Sequence, residues 1–294
     1  MYHDMMNMGT VTTGGGGSNL TLDDLTASPV AAYSVRKLDK DYTGYCMKVR
    51  RSSDNAEQDI GFSGNDLDTS SLATFCGSGS GFVVTWYDQS GNSRNATQST
   101  SANQPRIFNS GTLETDGDTG GKASLYFNIS ILDASFTQTT GNACSLCLVA
   151  NADENGGYGR IMSLRKGSGG NDFGSDQRIL LLACFNSDET PQIFNSGGRA
   201  VASGTHFNKS MSLYGTRNGT TTRIYINNVS GTSNTGTSTT SWDIDLIRIG
   251  MNVTSNIGSE YIGHLMQVIV FMSEIDSTDR TTIYDDDVAY FGIN

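Results

Sequence analysis

The chain has 294 residues, only 17% of them charged, and a formal net charge of −11. That acidic balance excludes a surface that tracks nucleic-acid phosphates, and no run nears the roughly 20 apolar residues that carry a helix across a bilayer. Glycine is abundant (35) and proline scarce (3), and the low charge argues against a disordered tail; the length suits one large all-β domain as well as two smaller ones.

Residues 1–26 differ from the rest. Met1, Met5, Met6 and Met8 precede the flexible spacer Gly14–Gly17. This reads as an N-terminal arm on a tether, with a folded domain over 27–294. The arm lacks the basic and apolar regions of a secretory leader. From Ser28 to Asp39, with Ser28-Pro29 as cap and first position, the spacing predicts a short helix. Tyr45, Met47 and Val49 mark a half-exposed strand, and a second short helix is expected over Thr69–Phe75.

Gly81–Asn92 is the most specific stretch. Phe82, Val84 and Trp86 alternate with Val83, Thr85 and Tyr87, so a strand covered on both faces is expected. Asp88, Ser90, Gly91 and Asn92 then supply turn chemistry, with Asp88 capping its own turn. Beyond it, short apolar runs alternate with polar turns: Leu125–Ile129, Ala143–Ala150, Arg178–Phe185, the hairpin around Arg217-Asn218-Gly219, Asp245–Met251 and Tyr261–Met272. Such spacing is the mark of an antiparallel all-β sandwich with a few short helices. A closing helix is expected from Asp276 to Tyr290.

Candidate chemistry is sparse. Cys144 and Cys147 sit three apart on a strand and point to opposite faces, which argues against a shared metal or a redox pair. The five cysteines read as free thiols. Asp116-Gly-Asp118 and Asp285-Asp-Asp287 do not reproduce a calcium loop and read as a loop and a solvated helix face. No metal or cofactor is expected. Trp86 belongs to the core strand, whereas Trp242 is the candidate for stacking on a sugar ring.

Three blocks, Thr222–Val229, Ile247–Gly250 and Tyr261–Phe271, resemble the C-terminal half of a concanavalin A-like or laminin G-like sandwich. Ala32–Leu38, Val49–Asp54, Thr74–Cys76 and Trp86–Asn92 through Gln98 resemble the catalytic domain of the fungal α-L-arabinofuranosidase B family, itself such a sandwich. The same Tyr-Asp-Gln-Ser-Gly-Asn text also resembles structural proteins of marine bacteriophages. The enzyme resemblance implies a nucleophile on the strand near Ile179–Asn186 and an acid after the Ile-Gly strand. Here those places read Leu181-Leu-Ala-Cys-Phe-Asn186 and Gly250-Met-Asn-Val-Thr254, with no carboxylate before Asp188-Glu189.

The expectation that follows is a non-enzyme: a bacteriophage virion structural protein, as capsid decoration or tail or fibre component, made in the host cytoplasm. It would dock on other virion proteins through residues 1–26 and form a homo-oligomer, with no nucleic-acid or membrane partner. The alternatives are a carbohydrate-binding module for a surface glycan and an arabinofuranosidase-like glycoside hydrolase.

Overall fold

The computed structural model describes residues 20–153, 159–165, 178–184, 190–195, 198–204, 206, 208–235, 242–250 and 261–293. In chain order the first strands are β1 (Ala31–Ser34), β2 (Met47–Arg51), β3 (Glu57–Ile60), β4 (Phe62–Ser63) and β5 (Asp66–Leu67). Helix α1 (Thr69–Cys76) leads to β6 (Gly81–Trp86), β7 (Ala96–Thr97), β8 (Arg106–Asn109), β9 (Thr112–Leu113) and β10 (Leu125–Asn128). Then come β11 (Leu132–Gly141), β12 (Ala143–Ala152), β13 (Gly159–Arg165), β14 (Arg178–Cys184), β15 (Pro191–Asn195) and β16 (Gly198–Val201). The series ends with β17 (Met211–Asn218), β18 (Thr221–Ile226), β19 (Val229–Thr235), β20 (Trp242–Ile249), β21 (Ile262–Phe271) and helix α2 (Ser277–Phe291). No helix among the described residues is long and apolar enough to cross a membrane.

The strands form an all-β antiparallel sandwich. In the first sheet β21 is central: β12 takes one edge, followed by β17, β18 and β19, while β1 and β10 share the other. The second sheet runs β11, β20, β13, β14, β15, β16. β7 pairs with both β6 and β11 and joins the two sheets at one side.

Alternation along β21 explains the layering. Val268 and Val270 enter the larger core, with Leu146 and Leu148 of β12 and with Ala134, Ile161, Leu164, Ile247 and Ile249 of the second sheet. Ile269 and Phe271 point the other way, into a smaller cluster with Cys147, Tyr214, Ile275 and Ile283 beneath α2. Each such fully buried aliphatic or aromatic side chain contributes roughly 2–3 kcal/mol, so apolar burial on both faces fixes the middle strand.

Helix α2 is specified locally. Asp276 caps it by accepting from the backbone N–H groups of Thr278 and Asp279, each at 2.9 Å, and Gly292 ends it in the left-handed region at φ 69°. Asp279 accepts from Thr26 N and Ala27 N, both at 2.9 Å, and so holds the preceding segment against the helix. Of the expected arm, residues 1–19 lie outside the described residues. Leu22 and Leu25 pack against the cluster under α2.

Two expectations need correction. The predicted helix over 28–39 is instead strand β1, with Ala31 to Ser34 paired to Val270 through Gln267 and all four residues fully buried. Long-range pairing to the central strand overrides the local helical spacing. The strand Gly81–Trp86 is in place, with Gly81, Val83, Thr85 and Trp86 buried, but Phe82 and Val84 are only half-buried. Phe82 is covered by the Arg50 guanidinium, 5.0 Å from its ring centre.

Candidate active site

The second sheet brings two separate pieces of chain to one rim. β14 and β20 lie on either side of β13 and are each antiparallel to it, so they run parallel to one another. Gly159 of β13 faces Cys184, and Met162 faces both Leu182 and Ile249. Both flanking strands therefore run out toward the same edge, two strand spacings or about 10 Å apart across the sheet, with β14 reaching two residues further. Gly250 N donates to Ile161 O at 2.7 Å and Tyr261 N donates to Gly250 O at 2.9 Å, so the chain leaves and rejoins this rim at one point. Gly250 holds φ +100°, and a Cβ there would run into Ser130 O and the Phe127 ring. Only glycine fits that corner.

Residues directly opposed in antiparallel strands share a face. Asp133, Arg248 and Ser163 therefore form a row across β11, β20 and β13, and Leu246 with Arg165 starts the next. Arg248 Nε donates to Asp133 Oδ1 at 2.7 Å and its Nη2 donates to Oδ2 at 2.6 Å, a two-pronged pair that engages both carboxylate oxygens. Arg160 and Arg165 are both buried on β13. Arg160 lies next to the rim residue Gly159, whereas Arg165 lies at the other end of β13, opposite Arg178.

The structure scatters the other sequence candidates. Asp88 is a turn anchor: Oδ1 accepts from Ala32 N and Ser90 N, and Oδ2 from Arg94 N and Ser90 Oγ, all at 2.9 Å. Cys144 lies in the core between the sheets and Cys147 in the cluster under α2, on opposite faces as their spacing requires. Burial pushes both thiols well above their ordinary range. Trp86 is fully buried. Trp242 opens β20 and is paired with Gly141, so its backbone belongs to the second sheet, while its side chain lies outside the described residues.

The two acidic runs are not alike. Asp116 is buried and accepts from Asn151 Nδ2 at 2.8 Å and from Ser210 Oγ. Asp285-Asp-Asp287 is not a uniformly solvated face, as the sequence suggested. Asp287 is fully buried, accepting from Arg36 at 3.3 Å, Gln267 at 2.6 Å and Ser212 at 2.9 Å. The helical period turns this one residue of the three toward β21 and β17. Burial pushes its carboxyl up to about 7, against the pull of Arg36 and the two neutral donors. Asp23, Asp39 and Asp41 also approach one another, within 4.8 Å between ligand oxygens. The Lys40 ammonium already sits 2.8 Å from Asp23 and 3.3 Å from Asp41.

What sequence reasoning missed is the convergence of strand ends. Its signal was available in the two apolar runs Arg178–Phe185 and Asp245–Met251, but only the register shows that they flank a common neighbour.

Comparison with known proteins bears on this arrangement. The family described as "Alpha-L-arabinofuranosidase B, catalytic" matches residues 23–128. The fold is similar to a crystal structure of an arabinofuranosidase complexed with arabinofuranosyl-α-1,2-xylobiose, with TM-score 0.70 and 17% identity over 90% of this chain and 63% of that one. It is similar also to a GH54 α-L-arabinofuranosidase soaked with a cyclic sulfate inhibitor, with TM-score 0.67, 16% identity and the same two coverages. The chain thus spans 63% of the length of these solved structures. No curated protein matches it in sequence.

These similarities overturn the expectations of a non-enzyme, of a bacteriophage capsid or tail component and of a virion location. The non-enzyme reading looked for acids within Leu181–Asn186 and Gly250–Thr254. β14 ends at Cys184, and Asp188, Glu189 and residues 251–254 lie outside the described residues, so acid-free strands do not decide the matter. By its sandwich, and by sequence over residues 23–128, the chain is similar to the catalytic domain of α-L-arabinofuranosidase B.

Proposed function

We propose that the chain is a glycoside hydrolase of the arabinofuranosidase type, removing α-linked arabinofuranosyl groups from xylan-type oligosaccharides. The observation that carries this reading is the shared rim of β14 and β20. The chain beyond Cys184 reaches Asp188 and Glu189, and the chain rejoining at Tyr261 is preceded by Glu260. A retaining glycosidase needs two carboxyl groups roughly 5 Å apart, and an inverting one needs them about 6.5–9.5 Å apart. Each of the two strand ends is followed in sequence by a segment that carries an acid.

In that chemistry one carboxyl protonates the departing glycosidic oxygen. The other attacks the anomeric carbon, or activates a water that does so. The matched family and the arabinofuranosyl-xylobiose complex favour arabinofuranosides as substrates.

The test is release of 4-nitrophenol from 4-nitrophenyl α-L-arabinofuranoside by the purified chain. Asp188→Asn, Glu189→Gln and Glu260→Gln are the variants. Glu260→Gln, and at least one of Asp188→Asn and Glu189→Gln, are expected to lower kcat by about 10³-fold or more, a loss of about 4 kcal/mol in transition-state stabilisation. No turnover by the folded wild-type chain, or full activity in all three variants, would sink the reading.

A further inference from the structure

A second cleft lies where the β18–β19 turn meets α2 and the chain that leaves β16, two strands beyond the β14 end of the rim. Its volume is about 440 Å³, and it is lined by Ala202, Ser203, His206, Ile226, Asn227, Val229 and Tyr284. Tyr284 of α2 supplies one wall from the outer face of the first sheet, and Ala202 and Ser203 supply the other from the end of β16 in the second.

Its walls are held in place. Asn227 and Asn228 both take left-handed backbone, with φ 47° and 60°, so the chain reverses tightly. Asn228 Oδ1 accepts from Arg280 Nε at 2.9 Å, and its Nδ2 donates to Thr281 Oγ1 at 3.3 Å, which pins the turn to α2. On the other side, a Cβ on Gly231 would come within 2.7 Å of Val201 O and 2.9 Å of Ala202 Cα, so β19 and the 201–203 segment touch backbone to backbone. Ala202 N also donates to Pro191 O at 2.9 Å. Such a cleft is preformed and needs no ordering on binding.

Its chemistry selects a ligand class. None of the described lining residues carries a carboxylate, an ammonium or a guanidinium, which disfavours phosphates and acidic or basic ligands. Val229, 64% exposed, offers aliphatic surface, and Tyr284 offers a ring with a hydroxyl. His206 Nε2 lies 2.9 Å from the Ser203 carbonyl, so in the neutral ring Nε2 carries the proton and Nδ1 is left as an acceptor. A neutral polyhydroxylated ring with one C–H face matches this combination.

We propose that this cleft is a saccharide subsite that holds neutral sugar residues of a polymeric substrate away from the reacting bond. As a claim about polymer substrates it rests on the hydrolase reading. As a claim about binding it can be tested alone. Holding the polymer raises its local concentration for the rim without touching the chemistry.

The experiment is affinity electrophoresis of the full chain in gels containing soluble arabinoxylan, beside Tyr284→Ala and His206→Ala. Thermal unfolding confirms that both variants fold. The wild-type chain is expected to be retarded, and each variant to bind at least fivefold more weakly while hydrolysing 4-nitrophenyl arabinofuranoside at the wild-type rate. An unretarded wild type, or retardation unchanged in both variants, would overturn the subsite. A chain that is retarded but does not cleave the small substrate would overturn only the hydrolase reading. Cleavage of the small substrate without retardation would overturn only the subsite.

Discussion

Asp133 and Arg248 face each other across β11 and β20 and are joined by two parallel hydrogen bonds of 2.7 and 2.6 Å. The pair is partly shielded, its side chains retaining 31% and 17% of their exposure. A carboxylate with both oxygens committed to a guanidinium is a brace, not an acid–base catalyst. Asp133→Asn is therefore expected to lower unfolding free energy by roughly 1–2 kcal/mol. Its kcat on the small arabinofuranoside should stay within about twofold of wild type, that factor being under 0.5 kcal/mol of barrier. A 100-fold loss of kcat at unchanged stability would instead place Asp133 among the reacting groups.

Asp287 gives a pH dependence whose sign can be worked out. Burial raises its carboxyl from 3.8 to about 7 in the folded chain. The folded state thus binds this proton more tightly than the unfolded state does. The associated stability is fully present below about pH 3.8 and is lost as pH rises through 7. Asp287→Asn removes that dependence. Denaturant titrations should show the variant gaining on wild type by roughly 1–4 kcal/mol between pH 4 and 8. Parallel curves across that range would show that Arg36 fully compensates the buried charge.

Gly250 makes a sharper demand on the rim. Its φ of +100° and the crowding by Ser130 O and Phe127 leave no room for a methyl group. Gly250→Ala is expected to cost roughly 2–4 kcal/mol in stability. It should also depress hydrolysis more than binding to arabinoxylan gels, because the corner it distorts lies at the rim and not at the α2 cleft. Equal losses in both assays would mean a global effect.

Much of the sandwich was legible because its signals are local. The closing helix after Asp276, the Gly219 turn and the helix from Thr69 follow from short-range chemistry, and each appears where those residues place it. Asp88 as the anchor of its own turn was likewise readable from its neighbours, although its bond to Ala32 N required the fold. The failures are long-range. Ala31–Ser34 has helical spacing, yet its partner lies at the far end of the described chain. Asp287 was taken as solvated because its two neighbours are acidic, and only packing against Gln267 and Ser212 buries it. The shared rim was hidden for the same kind of reason. Register brings together the ends of β14 and β20, and neither strand's own residues show that.

The pairing of β1 with β21 has a consequence for how the molecule is made. Ala31 waits for Val270 and Tyr33 for Val268, so the first strand has no edge to join until almost all of the described chain has been synthesised. Closing so large a loop before any contact rewards it slows folding. During that interval Ala31, Ala32 and Tyr33, destined for complete burial, are open to other chains. Loss of the segment after Gly263 would leave the opening strand without its template, and aggregation of nascent chains, more than lost catalysis, would be the first sign of it.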